Sequence, residues 1–305
     1  MTQIQVSHKT AGSGPARLGR RLLTLFPVLC ALAGMLVLAY PVAVSHWNNN
    51  QQLIVSRQFE AENQNSSPAE LQGFLNSARH YNSAQAGGPI LDPWLNRVSE
   101  DNVDYQGYLD ELSSQTAMAR LVVPAIDVDL PVFHGTSERV LRSGVGHLYG
   151  SHLPVGGEGT HALLTGHTGI PEATLFDNLD RLDHGDALYV SVAGEHLKYE
   201  VSDINVVLPH ETDSLRPVAG QDLVTLITCT PYGINTHRLL VTAHRVPMDE
   251  ADAAQITRDR AIWEWWMYVL VGVIALVLIA LLVSGARSLR QRRAAAEQDS
   301  QEESL

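Results

Sequence analysis

A cysteine, a histidine and an arginine stand at positions that could support attack on a carbonyl group. Cys229 ends a strand-like run, and Arg238 begins the next such run after a loop with proline and glycine. A thiolate needs a neighbouring cation or base, and the attacked carbonyl needs a donor for its developing negative charge. Arg238 could face Cys229 across an antiparallel pair. His167 follows another strand-like run between glycines that let a substrate approach, but the chain has 13 histidines. A surface or core role therefore stays open for any one of them.

Two long uncharged runs predict helices that span a membrane. Residues 22–44 carry no charged side chain, and residues 265–286 form a second apolar run with aromatic residues at its start and arginines after it. Each is long enough to cross a bilayer core, which takes roughly 20 helical residues. A cleaved signal peptide is the alternative for the first run, although its apolar stretch exceeds the roughly 7–15 residues of a signal. Basic residues outside both runs predict cytoplasmic termini and an exported middle at the cell membrane.

The charge and the cysteines of this exported middle limit the classes of function that it can have. The 305-residue chain has a formal charge of −12, and residues 46–262 hold 28 acidic against 13 basic side chains. This sign excludes a nucleic-acid-binding domain, which must neutralise phosphates. Cys30 is an apolar filler of the first run, so Cys229 is the single thiol of the exported part and has no internal disulfide partner there. An unpaired thiol in an oxidising compartment is a candidate nucleophile.

The part of the chain that must position these residues shows two sequence patterns, a helical one followed by a strand-rich one. From about residue 48 to residue 116, large apolar side chains recur at spacings of three to four, which predicts helices. Residues 66–70 predict a helix start with a hydroxyl cap and a proline in the first turn. Residues 86–89 break the pattern with glycine and proline, so residues 90–98 are expected to form a loop.

After this helical part, short β-branched runs separated by glycine and proline predict strands. No helical run alternates with them, which favours a closed or nearly closed antiparallel barrel over a doubly wound sheet. The expected strands are Arg120–Pro124, Ile126–Val132, His161–Leu164, Ala187–Val192, Leu197–Val207, Leu223–Thr228 and Leu239–Val246.

Four stretches of the strand-rich part resemble sortases, the cysteine transpeptidases on the outer membrane face of Gram-positive bacteria. The signature T-L-x-T-C, followed nine positions after the cysteine by arginine, is matched at Cys229 and Arg238, and the T-G-H motif is matched at His167. The stretches occur in the right order and look like those of the class C enzymes, which build pili. They are LPVFHGT (130–136), GVGHLYGSHLPVGG (144–157), LLTGHTG (163–169) and TLITCTPYGINTHRLLV (225–241).

The resemblance implies a sortase-type closed antiparallel β-barrel and a role for each matched residue. Cys229 would attack the Thr–Gly carbonyl of an LPXTG-like sorting signal and form a thioester. His167 would serve as general acid and then general base, and Arg238 would hold the substrate or stabilise the oxyanion. The acyl group would pass to a lysine amine of a pilin subunit. Because a thioester stays reactive toward amines, the reaction needs no nucleotide, and no cofactor is predicted.

The resemblance also points to residues around this centre. Asp92-Pro93-Trp94 is similar to the lid of class C sortases, in which an acid and an aromatic residue cover the active site. Asp92 would pair with Arg238, and Trp94 would lie on Cys229. Three further residues are expected to shape the substrate pocket: Thr228, Tyr232 and His237.

Metal sites are not predicted. Four histidines are numerous enough to suggest a zinc site, but no H-E-x-x-H or C-x-x-C spacing accompanies them. They are expected to form structural hydrogen bonds instead. Residues 177–180 and 183–186 are acidic, as in sortases that bind calcium, but they lack an EF-hand pattern and are expected to be solvated turns. The four histidines are His134, His147, His152 and His161.

Three other functions are alternatives to a pilus-building sortase. A sortase that anchors surface proteins to cell-wall peptide would share the whole centre, although the carboxyl-terminal membrane helix favours class C. An exported cysteine protease would use the cysteine and histidine with water as acceptor, but no papain-like asparagine or aspartate motif accompanies them. A non-enzymatic adhesion module would not need these spacings. The expected partners are therefore proteins with LPXTG-like signals, a pilin lysine and the lipid bilayer, and no nucleic acid.

These expectations divide the chain into seven regions, of mainly β class with a helical and lid extension and two flanking transmembrane helices. They are a basic cytoplasmic tail (1–21), a transmembrane anchor or uncleaved signal (22–45), the helical extension with the lid loop (46–117), the catalytic β-barrel (118–250), a linker (251–264), a transmembrane helix (265–286) and a cytoplasmic tail (287–305).

Overall fold

Eight β-strands form a closed barrel in the computed structural model, which describes residues 15–84, 102–258 and 263–302. In chain order the strands are β1 (Ala119–Val123), β2 (Val128–His134), β3 (Val145–His147), β4 (Thr160–Thr165), β5 (Ala187–Val192), β6 (Glu195–Val207), β7 (Asp222–Thr230) and β8 (His237–Val246). Around the barrel they follow the order β1-β2-β3-β4-β7-β8-β6-β5, and β5 closes the sheet by pairing with β1. The closed barrel expected from the sequence is confirmed.

Six of the eight strand pairings within the described barrel are antiparallel, as predicted. The pairings β2–β3 and β4–β7 are parallel, which the strand pattern did not reveal. A parallel partner requires a crossover connection. The helix α4 (Glu138–Ser143) provides it between β2 and β3, and the long segment with β5 and β6 provides it between β4 and β7. Because β4 and β7 run in the same direction, both end at one end of the barrel.

One strand, β3, was not predicted, and another, β2, begins later than expected. The strand β3 was missed, because three residues around a glycine are too short to show a strand pattern. The strand β2 begins later than expected, because Pro124–Ile126 forms a 3-10 turn and Asp127 has a left-handed backbone with φ of 54°. The remaining predicted runs lie within or overlap the observed strands.

Helices precede and follow the barrel, and the helical extension expected before it is present. The start predicted for the second helix is confirmed, because the Ser67 hydroxyl and Glu70 form reciprocal hydrogen bonds around its first turn. This second helix is α2 (Pro68–Ala84). Besides it and α4, the helices are α1 (Pro15–Asn65), α3 (Val103–Asp110), α5 (Glu250–Thr257) and α6 (Trp265–Glu302).

The helices α2 and α3 pack onto the barrel through buried polar contacts as well as apolar ones. The Tyr108 hydroxyl accepts a hydrogen bond from Gly135 N at 2.9 Å and donates to His147 O at 3.0 Å. Asn82 forms two hydrogen bonds with the backbone of Leu153, at 3.1 and 2.7 Å. Since these groups are buried, each bond satisfies an atom that water does not reach. The extension is therefore a part of the folded barrel unit.

A buried ion pair joins β1 to β2 inside this unit. Arg120 Nε and Nη2 donate to the two carboxylate oxygens of Asp129 at 2.8 and 2.6 Å. The arginine is 6% exposed and the aspartate 3%. Arg120 Nη2 also donates to Ile256 O of α5 at 3.1 Å, which joins the last short helix to the first strand. The bidentate geometry satisfies charges that would be costly to bury alone.

The chain forms two compact units, one of Met1–Ala43 with Glu264–Leu305 and one of Val44–Trp263. By length and composition, two helical stretches could cross a membrane: Phe26–Asn65 and Trp265–Gln298. They support the membrane association that the apolar runs predicted. The seven regional limits and the cytoplasmic placement of both termini stay predictions.

Candidate active site

The predicted nucleophile lies near the end of β7, directly opposite the predicted arginine. Cys229 and Arg238 are partners in the antiparallel register of β7 and β8, as the sequence suggested. Both are 9% exposed, so the thiol and the guanidinium lie at the edge of the packed barrel. Arg238 Nη1 donates to the carbonyl oxygens of Asn235 and His237 at 3.3 and 3.1 Å. These bonds hold the guanidinium beside the β7–β8 loop.

The parallel pairing of β4 with β7 brings the predicted histidine to the same place. Thr165 pairs with Ile227, and the ladder continues as Gly166 N donates to Ile227 O at 3.0 Å. Thr228 Oγ1 donates to Gly166 O at 2.8 Å. His167 comes directly after Gly166, and Cys229 comes directly after Thr228. The structure therefore brings the cysteine, histidine and arginine together at one end of the barrel.

The backbone around His167 is fixed by close packing. Phe176 N donates to His167 O at 3.0 Å, and a Cβ added to Gly166 would lie 2.6 Å from Phe176 Cδ2. Gly166 is therefore needed for packing against the aromatic ring, whereas the sequence had suggested room for a substrate. Asp177 Oδ1 accepts hydrogen bonds from Thr168 Oγ1 and Gly169 N at 3.2 and 2.7 Å, which fold the following loop back.

The loop after His167 is also tied to the long first helix. Asn49 of α1 is 1% exposed and forms two hydrogen bonds with Thr174, from Nδ2 to Oγ1 at 2.9 Å and from Thr174 N to Oδ1 at 3.0 Å. Asn48 Nδ2 donates to Glu172 O at 3.0 Å. These two side chains restrain the loop whose start carries the histidine.

One further side chain, Glu138 of α4, contacts the histidine and could not be identified from the sequence. Its Oε2 lies 3.2 Å from His167 Nε2, and its Oε1 accepts from Arg142 Nε at 2.7 Å. Burial tends to raise the pKa of Glu138, but the Arg142 hydrogen bond and the nearby His167 together hold it below its usual value. Glu138 lies 29 residues before His167 in a different element, so no local spacing could have paired them.

The three pocket candidates occupy different positions. Thr228 is buried and its hydroxyl is bound to the β4 end, so it supports the strand pair. Tyr232 is 66% exposed in the β7–β8 loop, and partial burial together with Asp177 raises its pKa. His237 Nδ1 lies 2.9 Å from Thr236 Oγ1. The predicted lid residues Asp92 and Trp94 lie outside the described residues.

The four histidines considered for zinc form hydrogen bonds with neighbouring groups. His147 is fully buried between Tyr108 Oη at 3.0 Å and His152 O at 2.8 Å, and burial lowers its pKa to about 3. His161 Nε2 lies 2.7 Å from Thr225 Oγ1, and burial lowers its pKa to about 4. In the part of the chain that the structure describes, no group of three or more His, Cys, Asp or Glu residues could hold a metal ion. The remaining two bond in the same manner, His134 to Glu111 O and His152 to His161 N.

Comparisons with known proteins agree with this arrangement. The Sortase domain model matches residues 121–246, the range that contains all three central residues. Sortase C-1 from Actinomyces oris is 58% identical, covers 58% of this chain and 99% of its own, and superimposes with a TM-score of 0.57. Sortase C from Streptococcus pneumoniae is 36% identical, with 64% and 97% coverage and a TM-score of 0.58. A lid mutant of Sortase A from Corynebacterium diphtheriae is 49% identical, with 61% and 99% coverage and a TM-score of 0.57.

The barrel, its cysteine-centred end and these matches define the class, and the chain belongs to the sortase family. Within the family, its solved structural neighbours include sortases C, which confirms the class C resemblance seen in the motifs. The matches to curated relatives span only 54% to 62% of those proteins' lengths.

Proposed function

We propose that the protein is a membrane-bound cysteine transpeptidase that joins pilin subunits. The observation that carries the proposal is the meeting of Cys229, His167 and Arg238 at one end of a sortase barrel. The β7–β8 register, in which Cys229 and Arg238 are partners, and the β4–β7 ladder, which ends two residues before His167, support this arrangement. A nucleophile, a proton-exchanging group and a cationic donor are the groups that acyl transfer through a thioester requires.

In the first half-reaction, the Cys229 thiolate attacks the carbonyl carbon between threonine and glycine of an LPXTG-like signal. The Arg238 guanidinium donates hydrogen bonds to the oxyanion that forms, or to the neighbouring substrate carbonyl. Protonated His167 gives its proton to the leaving glycine nitrogen as the C–N bond breaks. The products are a thioester on Cys229 and a free amine on the released carboxyl-terminal segment.

In the second half-reaction, a lysine amine of another pilin subunit attacks the thioester carbonyl. A new C–N bond forms, the C–S bond breaks, and His167 takes the proton that the amine loses. The result is an isopeptide bond and a regenerated thiolate, with the histidine protonated for the next cycle. A general acid or base of this kind contributes roughly 10²- to 10⁴-fold to rate.

The choice of acceptor separates this proposal from its alternatives. A sortase that anchors proteins to cell-wall peptide would use a wall amine, and a cysteine protease would use water. Sequence similarity to sortases C supports the pilin acceptor, since one of those neighbours is described in connection with pilin substrate specificity and another as pilus-related. We place the barrel unit on the outer membrane face and both termini in the cytoplasm, because basic residues flank the outer sides of both apolar runs.

The experiment uses the full chain in lipid nanodiscs with an LPXTG-type peptide and two competing acceptors, a lysine-bearing pilin and a cell-wall peptide amine. We expect a ligated product that Cys229→Ala abolishes and that Cys30→Ala, the matched loss of the other thiol, leaves intact. His167→Ala and Arg238→Ala should each lower the ligation rate by roughly 10²-fold or more. Cys229-dependent hydrolysis without ligation would support the protease, ligation to a wall-peptide amine alone would support the anchoring enzyme, and no Cys229 adduct would refute all three.

A further inference from the structure

We infer that Glu138 is a positioning residue for His167, whose imidazole ring it holds in one orientation and one tautomer. The inference rests on the proposed function, in which His167 gives and takes the protons of the two half-reactions. The contact joins α4, between β2 and β3, to the residue that follows β4, with 3.2 Å between Glu138 Oε2 and His167 Nε2. The contact comes from α4 and not from the β4–β7 ladder, so it restrains the ring independently of that ladder.

An ionised carboxylate defines the tautomer of the ring that it faces. Glu138 is ionised at neutral pH, because its hydrogen bond from Arg142 and the nearby His167 keep its pKa low against the effect of burial. A carboxylate accepts hydrogen bonds and cannot donate them, so the facing nitrogen Nε2 must carry a hydrogen. The other nitrogen, Nδ1, is then the one that exchanges a proton with the reacting amines.

The helix α4 presents the carboxylate so that its two oxygens have separate partners. Ser137 caps the helix by accepting from Val140 N at 3.4 Å, which places Glu138 in the first turn. Arg142, one turn later, occupies Oε1, and His167 occupies Oε2. A glutamine at this position has one carbonyl oxygen and one amide nitrogen. A glutamine could therefore accept a hydrogen bond from Arg142 or from His167, but not from both with separate atoms.

The expected effect is moderate, because the Glu138 side chain is 61% exposed. Water screens a pair of this kind, and exposed charged pairs contribute up to about a fivefold change in an equilibrium. Glu138→Gln should therefore lower kcat by roughly twofold to fivefold, because it acts only through the orientation of the His167 ring. The KM for the sorting peptide should stay unchanged, because the proposed role involves the ring and not the peptide.

The test compares Glu138→Gln with a matched variant of the same helix. Arg142→Gln breaks the same intrahelical ion pair but keeps a carboxylate opposite His167, and an ordinary glutamate is ionised at neutral pH without an arginine, so this variant should lose much less kcat than Glu138→Gln. Glu195→Gln removes an exposed ion pair, with Arg79 at 2.8 Å, in a different part of the barrel and controls for loss of surface charge. Each full-length variant is incorporated in nanodiscs, and kcat and KM are measured for the ligation reaction.

A second measurement reports the tautomer directly and needs no substrate. Ring-¹⁵N-labelled histidine in the protein without substrate, assigned with His167→Gln and followed through a pH series, should show a protonated Nε2 and a bare Nδ1 in the neutral form of His167. Glu138→Gln should give a mixture of tautomers, and Arg142→Gln should not. Unchanged ring signals in Glu138→Gln, or equal losses of kcat in Glu138→Gln and Arg142→Gln, would overturn the inference. Absence of Cys229-dependent ligation by the unmodified protein would overturn the proposed function instead, and the ring signals would still decide the role of Glu138.

Discussion

Mild acid is expected to destabilise the barrel unit, because His161 is buried in its neutral form. The side chain is 1% exposed, with Nε2 2.7 Å from Thr225 Oγ1 and Nδ1 3.2 Å from Arg216 O. Burial, partly offset by the raising effect of the Arg216 carbonyl and assisted by the nearby His152, lowers its pKa to about 4. In the unfolded chain a histidine has a pKa of about 6.5.

The sign and the size of the effect follow from these two values. Between pH 6.5 and about pH 4 the unfolded chain binds a proton at His161 that the folded protein does not. Stability is therefore fully present above the unfolded pKa and falls as the pH drops through this window. Each pH unit costs up to about 1.4 kcal/mol, so acidification from pH 6.5 to pH 5.0 removes roughly 2 kcal/mol through this one residue. His147, with its pKa lowered to about 3, adds a loss of the same sign.

The assay is urea unfolding of the full chain in nanodiscs, read by pulse proteolysis at pH 7.5, 6.5 and 5.0. His161→Gln is expected to be less stable at pH 7.5, since it loses a buried partner. Its further loss between pH 6.5 and pH 5.0 should be smaller than that of the unmodified protein by roughly 2 kcal/mol. Exposed His210 supplies the control, and His210→Gln should keep the full pH dependence. An identical pH slope in all three proteins would refute the reasoning.

Three other changes have expected outcomes of different kinds. Asp129→Asn should lower the free energy of unfolding by roughly 3 kcal/mol, because the buried Arg120 guanidinium loses its bidentate partner and keeps only the more distant Glu60, at 3.8 Å. The double change Arg120→Met with Asp129→Leu should lower it much less, and urea midpoints of the three proteins check this. Gly166→Ala should lower the free energy of unfolding by roughly 1–3 kcal/mol and reduce ligation, because the added methyl group would overlap the Phe176 ring. A urea midpoint equal to that of the unmodified protein would contradict this prediction. Asp92→Ala or Trp94→Ala should speed labelling of Cys229 by a thiol reagent if these residues form a lid, and unchanged labelling rates would argue against that lid.

Features of the fold that depend on local pattern could be predicted from the sequence. Alternating β-branched runs predicted most strands of the barrel, and a serine before proline predicted the start of α2. The facing positions of Cys229 and Arg238 followed from two strands joined by a short loop. The parallel β4–β7 pairing could not be predicted this way, because the side-chain pattern of a strand does not state the direction of its neighbour.

The same limit applies to the candidate site. The position of His167 depends on that parallel pairing, so the residues alone could not separate it from the other histidines, and the family motif was needed. Glu138 reaches the site from a short helix after a different strand, and no motif includes it. The role of Gly166 could be recognised only once the ring of Phe176 was seen against it. Long-range contacts of this kind depend on tertiary packing, which a linear pattern does not record.

The two asparagines of α1 that hold the loop after His167 bear on how this enzyme can be prepared in soluble form. A recombinant fragment that starts after residue 50 would remove the first apolar run together with Asn48 and Asn49. Its barrel strands would be complete, yet the loop behind the histidine would have lost three hydrogen bonds. Rates measured on such a fragment would then describe a less restrained histidine than the membrane-bound enzyme has. A truncation at residue 46 keeps both asparagines and is the better starting point for kinetic work.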